Sequence, residues 1–156
     1  MGHSVPSCPQ DGYRIADAGW SDLASVASLE ADVFPEPASL TLWRNHWSQR
    51  NTHLLVVRRA EQVAAFFGFE IHGPVAHVLG NATRPQDRQR GLATMLLRVG
   101  ASRARNAGAQ WFLGEVRASN HVQRKLLQGL GWRVIGRCPH FFGNGEDADI
   151  VWFLLP

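Results

Sequence analysis

Arg88-Gln89-Arg90-Gly91-Leu92-Ala93 stands between an apolar, strand-like stretch ending near Thr83 and a helical repeat of Leu92, Met95, Leu96 and Val99. A basic segment that opens an amphipathic helix is a place to hold an anion. Helix N-termini leave backbone N–H groups unpaired and carry about +0.5 elementary charge, so a phosphate there gains hydrogen bonds and field together. Gly91 lets a ligand approach the backbone, Ala93 keeps the second small position small, and Arg88 and Arg90 supply charge for a pyrophosphate. The spacing is neither the G-x-x-x-x-G-K-[ST] of nucleotide-hydrolysing loops nor the G-x-G-x-x-G of dinucleotide loops. A solvated basic loop capped onto a helix is the plainer reading of the same residues.

Working outward, the helix runs from Leu92 to about Ala107 and Gly108 stops it. Downstream, Trp111 to Val116 reads as a strand, Val122, Leu126 and Leu130 as one face of a helix, Val134-Ile135 as a strand and Ile150 to Leu155 as the last strand. Upstream, Tyr13-Arg14-Ile15 reads as a short strand, and Ser21 caps a helix carrying Leu23, Val26, Ala27 and Ala31 that Phe34-Pro35-Glu36-Pro37 ends. Leu40, Trp43 and Trp47 share one face of a second helix over Ser39 to Gln49, a spacing that suits core packing. Strands follow at Leu54 to Arg58, Val63 to Ile71 and Val75 to Thr83. A β-rich first half followed by alternating strands and helices predicts a mixed α/β sheet in one domain over 12–156, behind a flexible leader over 1–11.

The chain has 156 residues, enough to bury a core without disulfides or a structural metal. Apolar residues make up 45% and charged ones 19%, which excludes a disordered or fibrous class. The net charge is +3 and arginines bunch between Arg84 and Arg105, favouring a local anion site over nucleic-acid binding. Cys8 and Cys138 lie far apart without C-x-x-C spacing, and the seven histidines include no H-E-x-x-H. No disulfide framework and no metal are therefore expected, and a reducing cytoplasm suits the thiols. The longest apolar runs, Val63 to Phe69 and Ile150 to Leu155, fall short of the roughly 20 residues that cross a bilayer, so no membrane partner is expected. Met1 to Gly12 carries no apolar signal core.

With the two nucleotide loops set aside, coenzyme A is the leading phosphate ligand. Arg84-Pro85 through Ala93 resembles the acetyl-CoA loop of GNAT acetyltransferases, with its [QR]-x-x-G-x-[GA] pattern. Leu113-Gly114-Glu115-Val116-Arg117-Ala118-Ser119-Asn120, Leu130-Gly131-Trp132 and Gly145-Glu146-Asp147-Ala148 are similar to the RimI-type ribosomal-protein alanine N-acetyltransferases. That similarity covers Ala76 to Leu155, and the first half agrees in outline through Glu30 to Pro35, shaped like the family's E-x-x-x-F-P. The resemblance implies the GNAT fold, one domain with a twisted, mostly antiparallel sheet flanked by helices, and acetyl-CoA as co-substrate. It implies that Asn81, Ala82 and Thr83 pair with the acetyl-pantetheine arm, that Arg88, Gln89, Arg90, Gly91, Leu92, Ala93 and Thr94 hold the pyrophosphate, and that Asn120 touches the arm. Glu115 would be the general base for acetylating a protein N-terminus, the N-terminal alanine of a small-subunit ribosomal protein. Two alternatives stay open: Asn120 as a helix cap, and Glu115 as a strand carboxylate paired with Arg117 on its own face. Gly80 and Asn81 read either as a bulge or edge, or as the splayed place that admits the acetyl arm in this fold.

Chemistry favours an α-amine acceptor independently. An α-amine has a pKa of about 7.7–8.0 and a lysine about 10.4, so neutralising lysine costs roughly 3 to 4 kcal/mol more, and one carboxylate copes better with the former. The amine attacks the thioester directly, so Cys138 is not needed as a nucleophile, and strand N–H groups can stabilise the oxyanion. Leu127 departs from the family, standing twelve residues after Glu115 where relatives place a tyrosine that protonates the leaving thiolate. Tyr13, the only tyrosine, lies in the first predicted strand and is not given that role. A thiolate with a pKa of about 8.5 can leave and take a proton from water, and His121 or His140 could substitute. Phe141-Phe142 replaces the family's Tyr-Tyr and Glu36-Pro37 its tryptophan after the proline, both expected at the acceptor groove. Two other readings compete: acetylation of a small amine or lysine, and a catalytically silent acyl-CoA-binding module marked by Leu127.

Overall fold

The computed structural model describes residues 12–156, so the expected leader over 1–11, with Cys8, lies outside the described residues. The strands are β1 (Tyr13–Asp17), β2 (Thr52–Arg59), β3 (Gln62–His72), β4 (Val75–Thr83), β5 (Trp111–Arg117), β6 (Arg133–Cys138) and β7 (Ala148–Leu154). The helices are α1 (Leu23–Val33), α2 (Leu40–Trp47), α3 (Leu92–Asn106) and α4 (His121–Gly129), with 3-10 turns at Trp20–Asp22 and Pro85–Asp87. The strands form a mixed seven-stranded sheet in the order β1-β2-β3-β4-β5-β7-β6. The pairs β1–β2, β2–β3, β5–β7 and β6–β7 are antiparallel, and β4–β5 is parallel. Two compact units divide the chain, one drawn from Met1–Glu70 and Leu79–Gly100, the other from Ile71–Val78 and Ala101–Pro156.

In the first unit, Leu54 to Val57 and Val63 to Phe69 are buried without a break. Uninterrupted burial means cover on both faces, which is why these strands read as apolar runs and not as alternation. Leu23, Val26 and Leu29 of α1 and Trp43 of α2 join Leu54, Val56, Val63, Phe66 and Ala82 in one core, each large side chain contributing about 1.5–3 kcal/mol. Ser39 caps α2 by accepting from the Leu42 N–H at 3.1 Å. Of the three α2 residues expected on a core face, Trp43 is fully buried, whereas Trp47 stays partly exposed with its indole N–H on the Ala18 carbonyl at 3.0 Å. The β2–β3 ladder shifts register after Val57, where Val57 pairs Ala65 and Arg58 pairs Val63. Ala64 is thus the extra residue of a bulge.

In the second unit, Phe112, Trp132 and Phe153 stack with centroids 5.4 Å apart at each step. The Trp132 N–H returns to the Leu127 carbonyl at 3.0 Å and closes the end of α4. α4 does not bury the face that Val122, Leu126 and Leu130 predict. Val122 is 82% exposed and Leu127 is the buried residue, because the inward side of α4 also carries Arg124, which reaches the buried Asp149. The β6 strand is longer than Val134-Ile135 and exposed throughout, as an edge strand can be.

Gly100 lies inside α3, where alanine would ordinarily be favoured by about 1 kcal/mol. A Cβ there would sit 2.4 Å from Cε1 and 2.7 Å from Cδ1 of the buried Phe67. Crowding wins, and Gly100→Ala is expected to lower unfolding free energy by about 1–3 kcal/mol in urea titration. Unchanged or higher stability would show that Phe67 can yield.

Candidate functional site

The chain leaves β4 through a turn tied at its start. Arg84 donates its N–H to the Ala64 carbonyl at 2.8 Å and its guanidinium to the Val63 carbonyl at 3.1 Å, so the β3 bulge supplies the anchor. The 3-10 turn Pro85–Asp87 follows, and Arg88 Nε reaches back to the Thr83 carbonyl at 3.3 Å. Gln89 (φ 60°) and Gly91 (φ 76°) are both left-handed, on either side of Arg90. Left-handed glutamine is strained and is tolerated where the fold requires that bend. Alternation of hand along a short run turns successive N–H groups into one concavity.

α3 starts from Gly91, whose carbonyl accepts the Met95 N–H at 3.0 Å. The N–H groups of Leu92, Ala93 and Thr94 then have no partner within the helix. The Leu92 side chain is 2% exposed, so it anchors the helix and offers outward only its backbone. Arg88, Gln89 and Arg90 are exposed, and a Cβ on Gly91 would meet nothing within 4 Å. Two exposed cations, a left-handed bend and a helix start suit a diphosphate.

On β4 ahead of this loop, Ala82 is buried in the first unit's core, and Asn81 and Thr83 are half-buried. β4 pairs β5 from Val75 to His77, and its remaining residues continue beyond that ladder. β4 runs continuously through Gly80, and Glu30 explains the glycine. A Cβ at Gly80 would stand 2.8 Å from Glu30 Oε1 and 3.3 Å from Trp43. The buried Glu30 carboxylate accepts the Ala38 N–H at 2.6 Å and so holds the α1–α2 connection. The indole N–H of Trp43 faces the same carboxylate outside hydrogen-bond geometry, leaving Ala38 as the donor that counts. Burial pushes the Glu30 carboxyl above the ordinary carboxylate range.

A raised folded-state pKa means that Glu30's contribution to stability is full below its unfolded value of about 4.3 and is lost as pH rises through the folded one. The neutral isostere in Glu30→Gln carries no such dependence. Its stability relative to the parent protein should therefore improve as pH is raised from about 4 toward neutrality. Urea unfolding across that range checks it, and a difference that moves the other way would mean that Glu30 is buried as a stabilised anion.

In the second unit, alternate burial along β5 leaves Glu115 half-buried. His77, on β4, sets Nε2 3.0 Å and 2.9 Å from the two Glu115 oxygens. An ionised carboxylate accepts only, so Nε2 carries the proton in this arrangement. Arg117, the alternative partner, is engaged elsewhere: with Asn144 at 3.1 Å, with Glu146 at 3.2 Å, and 3.9 Å over the Phe142 ring. The other Glu146 oxygen accepts the Ser119 N–H at 2.9 Å, and the bonds from Ser119, then Arg117, hold its carboxyl below the usual range. These contacts bind the β6–β7 connection, with Phe141 47% exposed on it, to the turn between β5 and α4.

Asn120 caps α4 through Oδ1, which accepts the Gln123 N–H at 3.2 Å, so the capping alternative is realised. Leu127 is 3% exposed and packs as core. The candidate substitutes are engaged locally, His121 with Arg124 and His140 with the Gly145 carbonyl at 3.1 Å. His77 was not singled out in the sequence. Its one signal is position, since the parallel register puts it opposite Leu113, two residues before Glu115 and on the same face of β5. Among the described residues no cluster of three or more His, Cys, Asp or Glu could hold a metal, and no helix is long and apolar enough to cross a membrane.

Residues 20–132 match the model of the acetyltransferase (GNAT) family. An uncharacterized N-acetyltransferase of Methanocaldococcus jannaschii is 26% identical over 131 residues, covering 83% of this chain and 84% of its own. An N-alpha-acetyltransferase of Sulfurisphaera tokodaii is 24% identical, covering 89% and 91%. The crystal structure of the ribosomal-protein-S18-alanine N-acetyltransferase from Escherichia coli superposes with a TM-score of 0.83 at 21% identity, over 92% of this chain and 94% of that one.

Proposed function

This chain belongs to the GNAT acetyltransferase family and is an acetyl-CoA-dependent N-acetyltransferase; we propose that its acceptor is the α-amine of a protein N-terminus, the N-terminal alanine of a small-subunit ribosomal protein, with Glu115 as general base. The observation that carries this reading is His77 on both Glu115 oxygens. A base held in one orientation by a second group is preorganised for proton transfer, and its side chain stays 20% exposed, within reach of an amine or a water. Glu115 takes the proton, the amine nitrogen forms the C–N bond as the C–S bond breaks, and the thiolate leaves with a proton from solvent.

Arg88, Gln89, Arg90 and Gly91, with the N–H groups of Leu92, Ala93 and Thr94, are assigned to the pyrophosphate. Asn81, Ala82 and Thr83, on β4 past its ladder with β5, are assigned to the pantetheine arm. Asn120 keeps its amide group for that arm while Oδ1 caps α4. The α-amine is supported by the weaker demand it makes on one carboxylate and by the name of the Sulfurisphaera relative. The ribosomal acceptor, a RimI-like substrate, is supported by the Glu115 to Asn120 run and by the Escherichia coli neighbour. We place the reaction in the cytoplasm, whose reducing conditions keep the exposed Cys138 a thiol.

CoA-thiol release with a peptide that begins with the ribosomal alanine tests the proposal. Glu115→Gln should lower kcat/KM by about 10²- to 10⁴-fold, and His77→Ala should lower it less. Blocking the peptide's N-terminus should abolish turnover. An unimpaired Glu115→Gln enzyme would remove Glu115 as the base.

A further inference from the structure

We infer that Tyr13 and Asp87 form a positioning pair for the phosphate end of acetyl-CoA, with β1 setting the loop from Arg88 to Gly91 before a ligand arrives. The inference rests on the assignment of that loop to the pyrophosphate. Tyr13 lies on β1 and is 5% exposed, and its hydroxyl donates to Asp87 Oδ1 at 2.5 Å. Asp87, 6% exposed, is the last residue of the 3-10 turn and stands directly before the loop. The turn is thus held at both ends, at Arg84 by the Ala64 carbonyl on β3 and at Asp87 by a phenol 74 residues away in sequence.

Two cations complete the cluster. Arg59, paired opposite Tyr13 in the β1–β2 ladder, lies 5.5 Å from the ring centroid and 3.9 Å from Asp87 Oδ1. Arg90 of the loop lies 6.0 Å from the same ring centroid. A carboxylate beside an anion site would repel a phosphate if it faced the ligand. Asp87 instead turns inward onto a hydroxyl and near a guanidinium, which compensates its charge while the ring seats Arg90. The hydrogen bond to Asp87 keeps the phenol protonated above the ordinary tyrosine range, so it remains a donor. Tyr13 touches no reacting atom in this account and acts through Asp87 and Arg90.

The test titrates the intact protein with CoA, which carries the phosphates, and with pantetheine, which does not. Tyr13→Phe keeps the ring and removes the donor, and it should weaken CoA about tenfold while leaving pantetheine within about twofold. Asp87→Asn, whose amide oxygen can still accept from Tyr13, should fall between the parent protein and Tyr13→Phe. With turnover as readout, Tyr13→Phe should raise KM for acetyl-CoA more than it lowers kcat. Equal weakening of both ligands would mark Tyr13 as a general support of the fold, and no weakening of either would remove its positioning role. Arg90→Ala separates the two claims: if it leaves CoA affinity unchanged, the loop assignment fails, whereas a loss there beside a neutral Tyr13→Phe overturns only the pair.

Discussion

The backbone passes from β4 into α3 through left-handed conformations at Gln89 and Gly91, and the proposed phosphate chemistry hangs on that bend. Glycine accepts such a conformation freely, whereas glutamine does so at some cost, which the surrounding ties must outweigh. The bend leaves three helix N–H groups beside two exposed arginines, and burial of Leu92 and Leu96 fixes the helix that presents them. A phosphate site made of backbone needs such rigidity, because its donors cannot rotate to find the ligand.

The buried acids of the described residues share one architectural use. Asp22 takes the Gly19 N–H at 2.8 Å and pairs with Arg58; burial alone would raise its carboxyl, but these bonds draw it below the usual range. Asp149 is drawn down in the same way, against burial, by Arg137 and Arg124 of flanking elements. Glu30 holds the α1–α2 connection, and Asp87 holds the turn before the loop. Asp22, Glu30 and Asp87 tie connections and Asp149 ties α4 and β6 to β7; specific donors offset the desolvation of Asp22 and Asp149, whereas at Glu30 burial prevails.

Local features were legible in the sequence and tertiary ones were not. Strand and helix order, the Asn120 cap and the loop opening at Gly91 all follow from residues within a few positions of one another, whereas the cap expected from Ser21 is not made, since α1 starts after Asp22 with no side-chain cap. The face of α4 misled because Val122 and Leu126 keep helical spacing, yet the partner that orients the helix is Asp149, 25 residues from Arg124. Nothing near Gly80 in sequence shows that Glu30, far upstream, takes up the space a side chain there would need. His77 and Tyr13 escaped a functional role for the same reason: a lone histidine or tyrosine in a strand acquires meaning only when the sheet brings it to Glu115 or Asp87.

The central claim, transfer of acetyl to a protein α-amine, is tested most directly by mapping the product. A peptide with a free N-terminal alanine and one internal lysine would be incubated with the enzyme and acetyl-CoA, digested, and sequenced by tandem mass spectrometry. The account predicts acetyl on the alanine nitrogen with the lysine unmodified, and acetyl on the lysine ε-amine, or on neither amine, would contradict it.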